Sequence, residues 1–299
     1  FFEIRGVGII DNFFELGGDS LKAVTLGGRI RETLNIEVAI SDFFDHPTIK
    51  ELAELLDSAG EVEFNPIEPV EEKEYYPVSS AQKRVFFRHQ VSPEGTLYNL
   101  PQVVPVKEDV SIPQLEAVFS RLIERHESLR TSFFLVDGEP VQRIHDKVHF
   151  SIELTTDLTR FMRGFNLEEA PLMRLALGRG PDGNPLVAFD IHHIVTDGMS
   201  TDLLIKDLQA LETGEELTPL PVRYRDYTQW QYDFLQSDEL NNQGKYWVNQ
   251  FKDNVPQLTM PIDFPYPEPG KRMYTGGMVD SVVPARLTWM LKKLAVQCG

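Results

Sequence analysis

The period of the apolar positions changes along the chain. "TIKELAELL" (48–56) places Ile49, Leu52, Leu55 and Leu56 on one face at helical spacing. Pro47 and a Thr48…Glu51 capping box predict the start of that helix. The segment from Ser20 also reads as helix, although Gly27 and Gly28 would each weaken it by about 1 kcal/mol relative to alanine. Residues 61–75, "EVEFNPIEPVEEKEY", carry glutamate and proline without an apolar period, which predicts an extended, solvated linker. Beyond it the pattern is mixed. "SIPQLEAVFSRLIERH" (111–126) sets Leu115, Val118, Phe119, Leu122 and Ile123 on one helical face, with Ser111 and Gln114 as a capping box. "TSFFLV" and "EPVQRI" flank Asp137-Gly138, the signature of a β-hairpin. "PLVAFDIHHIV" (185–195) reads as a strand, and "MSTDLLIKDL" (199–208) as a helix directly after it. An all-α unit over 1–60, a linker over 61–75 and a mixed α/β domain over 76–299 are therefore expected.

Composition narrows the function classes. A chain of 299 residues with 41% hydrophobic and 25% charged residues is long enough for one large or two ordinary globular domains. A net charge of -17 argues against nucleic-acid and anionic-membrane partners, which need basic surfaces. The one cysteine, Cys298, rules out a disulfide framework and a cysteine-rich zinc site, so a reducing cytoplasm is expected. No apolar run approaches the roughly 18 residues of a membrane span, and no stretch reads as a signal peptide.

The stretch "AFDIHHIVTDGMS" (188–200) carries the candidate chemistry. Neighbouring side chains on a strand point to opposite faces, so His192 and His193 do not both reach one metal from regular β geometry, and no further ligand spacing supports a metal site. A serine triad lacks its G-x-S-x-G elbow. On "HH" alone, one core and one surface histidine is the simplest account. The Asp197-Gly198 pair adds strand end, turn and helix start, a geometry that brings His193 into a cleft.

At this point the sequence resembles the condensation domains of non-ribosomal peptide synthetases, relatives of chloramphenicol-acetyltransferase-like acyltransferases. "HHIVTDG" matches their HHxxxDG signature, and "SSAQKRVFF" (79–87), "RHESLRTSF" (125–133) and "YRDYTQWQ" (224–231) resemble further family motifs in the right order. "DNFFELGGDSLKA" (11–23) is similar to the phosphopantetheine site of peptidyl carrier proteins, with Ser20 as the modified residue. From the residues alone, Ser20 reads as a helix N-cap, at a helix start that also favours a phosphate, with Gly17 and Gly18 clearing room for a modifying enzyme.

The resemblance implies a four-helix-bundle carrier followed by a chloramphenicol-acetyltransferase-like domain, mainly its first half. It implies 4′-phosphopantetheine on Ser20. The partners it implies are donor and acceptor carrier domains, adenylation domains and a phosphopantetheinyl transferase. An upstream acyl or peptidyl thioester would pass to the amine of an aminoacyl thioester beside His193, with His192 facing the scaffold. It further suggests that an arginine of "RHESLR", Arg130 by preference or Arg125, pairs with Asp197. Relative to the family, the carrier is short at its start, two segments (155–161 and 207–217) look shortened, and much of a second half is expected beyond Gly299. An epimerisation domain shares HHxxxDG and follows a carrier, and Asp19 beside Ser20 suits it; Leu21 and the RHExLRTxF match favour condensation. The residues also leave open a non-catalytic docking module and an acyltransferase using soluble coenzyme A thioesters.

Overall fold

The computed structural model describes residues 6–59, 66–155, 161–253, 255, 258, 261–265, 279 and 281–298. It divides into two compact units, Phe1–Pro66 with Thr275–Gly299, and Ile67–Tyr274. Residues 61–65 of the expected linker, 156–160 of the expected shortened segment and 1–5 of the expected carrier lie outside the described residues.

In the first unit, residues 6–59 hold three helices, α1 (Ser20–Leu34), α2 (Ile40–Asp45) and α3 (Ile49–Ser58). They close on Phe13, Ala23 and Phe43, with Leu26, Ile30, Val38 and Leu52 packed around them. Gly27 and Gly28 do not interrupt α1, which ends at Asn35 in the left-handed conformation (φ 59°). The α3 start follows the expected capping box: Glu51 N–H donates to Thr48 Oγ1 at 3.2 Å, and Thr48 N–H to Glu51 Oε2 at 3.3 Å. Of the expected apolar face, Leu52 reaches the core, Leu55 and Leu56 are half-buried, and Ile49 is exposed. A carrier of three described helices is shown here; the four-helix bundle is not. The last helix among the described residues, α9 (Ala285–Cys298), falls in the same unit.

The second unit is mixed α/β. Its order is β1 (Tyr76–Pro77), α4 (Ser80–Val91), β2 (Asn99–Pro105), α5 (Ile112–Arg125), a 3₁₀ turn (Glu127–Arg130), β3 (Thr131–Val136), β4 (Glu139–Ile144), β5 (Ile152–Leu154), β6 (Met173–Arg179), β7 (Pro185–His192), α6 (Gly198–Glu212), α7 (Tyr224–Phe234) and α8 (Asp238–Gln250). One sheet is antiparallel in the order β1-β4-β3; the other runs β2-β7-β6-β5 and is antiparallel except for β5 beside β6. The β3–β4 hairpin turns at Asp137 and Gly138, both at positive φ (52° and 83°), as an Asp-Gly turn requires. At α5, Ser111 holds the N-cap position but its side chain makes no capping bond; Pro113 in the first turn removes one of the amide protons that such a cap would serve.

Strand β7 lies between β2 and β6, with Asn99 opposite His192 and Met173 opposite Ile191. Covered on both faces, it is apolar at Val187, Ala188 and Ile191, which are all buried. Residues 66–75 belong to no helix or strand and are mostly exposed. They are nevertheless pinned: Val70 N–H donates to Asp226 Oδ1 at 3.0 Å, and Lys73 N–H to the Tyr76 hydroxyl at 2.8 Å.

Candidate active site

Strand β7 ends at His192, and the chain then turns through residues 193–197 into α6. The alternation along the strand separates the two histidines. His192 is 1% exposed, and its Nδ1 accepts the Ile194 N–H at 3.1 Å. Its ring meets His89 and Phe165 edge-on, with centroids 5.2 and 5.8 Å away. Burial, then His89, His193 and Arg174, push its imidazole down to about 3, so it is neutral at ordinary pH. Behind it lies a buried polar group that sequence reading missed. Asp190 takes Arg174 Nη2 at 2.9 Å and Asn99 Nδ2 at 2.6 Å, and Arg174 lies 3.8 Å from the Phe165 ring centre.

His193 is exposed, at the wall of a cleft of about 490 Å³ that Tyr98, Ser128, Asp197 and Tyr224 also line. Its N–H donates to the Tyr98 carbonyl at 2.7 Å, which fixes the backbone. Its Nδ1 lies 2.8 Å from the Thr196 carbonyl oxygen. A carbonyl only accepts, so Nδ1 carries the proton and Nε2 is left as the basic nitrogen.

Asp197 is the N-cap of α6. Its Oδ1 accepts from Ser200 N–H at 2.8 Å and from Ser200 Oγ–H at 2.7 Å. Those two bonds hold the carboxyl below its ordinary value. Gly198 opens the helix, and a Cβ there would meet open space. The expected ion pair with Asp197 is absent. Arg125 Nε instead binds Asp207 Oδ2 at 2.8 Å, together with His126 Nε2 at 2.8 Å, tying α5 to α6. Arg130 Nη2 pairs with Glu127 at 3.5 Å, and its Nη1 donates to the His145 carbonyl. The physical reason is that Glu127, 8% exposed, is the carboxylate that needs cations: Arg223 at 2.9 Å and Arg225 at 3.5 Å also converge on it. "RHESLR" and "YRDYTQWQ" thus meet at Glu127, and Asp197 is satisfied by its own helix.

The first motif supports the turn from below. Ser79 caps α4 by accepting Gln82 N–H at 3.1 Å, and Gln82 Oε1 accepts Ser79 N–H at 3.0 Å. Gln82 Nε2 is then free to donate to the Ile194 carbonyl at 3.3 Å, beside His193. Ser79 Oγ lies 2.9 Å from the Tyr224 hydroxyl. The Ser79-x-x-Gln82 spacing was a readable capping box, whereas the link to Tyr224 joins residues 145 apart in sequence.

In the first unit Ser20 is exposed at the first position of α1, and the N-cap is Asp19, whose Oδ1 accepts Lys22 N–H at 2.8 Å. The serine hydroxyl is therefore not used as the cap. Gly17 adopts φ +91°, and a Cβ on Gly18 would stand 2.4 Å from the Phe13 ring, so the two glycines answer to the turn and its packing. An exposed hydroxyl at a helix N-terminus suits attachment of a phosphodiester.

Residues 72–298 match the family model of the condensation domain. The chain belongs to the condensation-domain family. Residues 5–56 match the phosphopantetheine attachment site family, so a carrier domain, whose covalent group is 4′-phosphopantetheine, is joined to the condensation domain, the pairing found in non-ribosomal peptide synthetases. Bacitracin synthase 3 of Bacillus licheniformis is 41% identical over 99% of this chain, which spans 5% of that relative. Gramicidin S synthase 2 of Brevibacillus brevis is 42% identical over 99% of the chain, which spans 7% of it. Among solved structures, the X-domain of teicoplanin biosynthesis in its complex with OxyB matches 70% of the chain and 50% of its own (TM-score 0.59, 24% identity). The starter condensation domain of the rhizomide synthetase matches 62% of the chain and 50% of its own (TM-score 0.52, 19% identity). These likenesses show the mixed α/β fold of condensation domains.

Proposed function

We propose that this condensation domain forms an amide bond between two carrier-bound substrates. The observation that carries the reading is His193, set in the cleft with its Nδ1 proton committed to Thr196 and Nε2 left to act. The acceptor nitrogen attacks the donor thioester carbonyl carbon. A C–N bond forms, the carbon–sulfur bond breaks, and the amine proton leaves through His193 Nε2 to the departing thiolate. An α-amine with pKa near about 8 is already partly neutral, so His193 works as much by holding the nitrogen as by removing its proton. His192 fixes the strand end, Asp197 and Gly198 start α6 and shape the turn, and Arg125 and Arg130 brace the scaffold through Asp207 and Glu127.

Ser20 is the proposed attachment residue. The thiol of its 4′-phosphopantetheine would hold an aminoacyl or peptidyl group as a thioester. The same reading gives residues 1–60 as a four-helix carrier, 61–75 as linker and 76–299 as the first half and the start of the second half of the condensation domain. The partners are donor and acceptor carriers, adenylation domains and a phosphopantetheinyl transferase, in the cytoplasm. Among the described residues no helix is long and apolar enough to cross a membrane. The test is single-turnover amide formation by the intact synthetase with loaded donor and acceptor carriers. Loss of product in a folded His193→Ala protein supports the reading, and undiminished product overturns it.

A further inference from the structure

Among the polar side chains that line the cleft, one has chemistry that complements His193. Tyr224, the first residue of α7, lines the same cleft and is 40% exposed, while the Ser79 side chain bonded to it is buried. The direction of that bond follows from counting protons. Ser79 Oγ already accepts Gln82 N–H at 3.1 Å. Its own O–H proton needs an acceptor, and among the described residues the Tyr224 oxygen, 2.9 Å away, is the one within reach. Leaving a buried hydroxyl proton unpaired would cost roughly 1–3 kcal/mol. Ser79 therefore donates to Tyr224, and the phenol's own proton is turned away from Ser79, toward the cleft. A phenol that accepts a hydrogen bond is a stronger donor through its remaining O–H. Burial also holds the Tyr224 phenol above its ordinary value, so it stays protonated.

We propose that Tyr224 is a further catalytic residue, whose phenolic O–H donates to the thioester carbonyl oxygen as that oxygen gains negative charge. This rests on the acyl-transfer reading of the His193 cleft. The nitrogen attacks the carbonyl carbon, and the C=O electron pair moves onto oxygen and is held by the Tyr224 O–H. The N–H proton passes to His193 Nε2. The pair then returns, the C–S bond breaks, and the thiolate takes the proton back from His193, with no other reactant. A base on one wall and a preset donor on another is the arrangement an acyl transfer needs. Ser79 is the positioning residue: its place at the α4 cap, shared with Gln82, also holds the Ile194 carbonyl next to His193. Ser79, the N-cap of α4, is bonded to the phenol, and Tyr227 lies against it on its own helix. The charged or titratable groups that line the same cleft are Arg84 on α4, His193 in the turn before α6 and Asp197 at its cap.

The experiment compares Tyr224→Phe, Ser79→Ala and His193→Ala in the intact synthetase. Tyr224→Phe keeps the ring and should lower single-turnover kcat by about 10²-fold with KM for the acceptor little changed, as for loss of one oxyanion donor. Ser79→Ala should shift kcat in the same direction by less. Replacing Tyr224 with a fluorotyrosine, a more acidic phenol, should bring in a fall of activity on the alkaline side. Its fluorine resonance should also move when an acyl-pantetheine ketone, with CH₂ in place of sulfur, is added to the unloaded protein. If His193→Ala abolishes product while Tyr224→Phe and the fluorotyrosine protein behave as wild type, the Tyr224 role is overturned and the acyl-transfer reading stands. If His193→Ala leaves product intact, the acyl-transfer reading falls, and the Tyr224 role falls with it.

Discussion

The two places where chemistry is expected begin in the same way. Asp19 and Asp197 each end a turn in extended backbone, with φ of -141° in both, and each Oδ1 accepts the N–H of the third residue on at 2.8 Å. After the cap, however, the roles diverge. In the first unit the first helical residue, Ser20, is the group presented. In the second, the first helical residue is Gly198, and the presented group is His193, held four residues before the cap by Tyr98 and Thr196. An aspartate cap makes a helix start rigid and leaves the neighbouring side chain available. Whether that neighbour lies ahead of the cap or behind it decides what the start is used for.

That contrast breaks most sharply at Ser20. Treating the chain with a phosphopantetheinyl transferase and coenzyme A should add one phosphopantetheine by intact mass, and Ser20→Ala should abolish the addition entirely. Persistence of the addition in the mutant would place the attachment elsewhere.

At the second start the expected effect is large but graded. His193→Ala should reduce amide formation by about 10²–10⁴-fold while lowering the melting temperature only slightly. The ring is exposed and is held by one hydrogen bond, to the Thr196 carbonyl, and an edge contact with Tyr98. His192→Ala should do the opposite in kind, opening a cavity that destabilises the unit by roughly 2 kcal/mol or more. An equally stable His192→Ala protein without activity would reverse the two assignments.

Acid should separate the histidines as well. His192 falls from an ordinary 6.5 when unfolded to about 3 when folded, so the unfolded chain binds its proton first. The stability this group contributes is complete above pH 6.5 and is lost as pH falls toward 3, by up to about 1.4 kcal/mol per pH unit. His89, His126 and His145, all lowered first by burial, add in the same direction. Chemical denaturation of the wild type and of His192→Phe between pH 7 and pH 4 checks this: a smaller loss is expected in the mutant, and equal slopes would refute it.

The smallest effect belongs to the cap itself. Asp197→Ala should cost about 1 kcal/mol, the value of an N-cap, and Asp197→Asn much less. A cost of about 3–5 kcal/mol would mean that a buried ion pair had been broken, which the pairing of Arg125 with Asp207 and Arg130 with Glu127 argues against.

What the sequence made legible were features settled within a few residues. The Thr48…Glu51 box, the Asp137-Gly138 turn and the opposite facing of His192 and His193 each follow from local geometry. The choice of partner for an arginine does not. Arg125 and Arg130 had several carboxylates within the fold's reach, and only the buried position of Glu127 and the packing of α5 on α6 decide among them. Ser111 shows a local rule failing locally, at a helix start already occupied by Pro113. Ser20 reads as a cap, yet Asp19 takes that place, one residue earlier.

The pairing of β7 with both β2 and β6 has a consequence for protein engineering. Adjacent histidines on a strand act as a reading-frame marker for the sheet, because a slip of one residue exchanges inside and outside along the whole strand. Deleting a single residue between Pro185 and Ile191 would leave the letters "HH" intact in the sequence and still send His193 into the slot opposite Asn99. Inserting one would put Ile191 in that slot and His192 in the place of His193. Variants of this region should therefore be made by replacement or by moving residues in pairs, and a library that permits single-residue indels there would be sampling misfiled active sites.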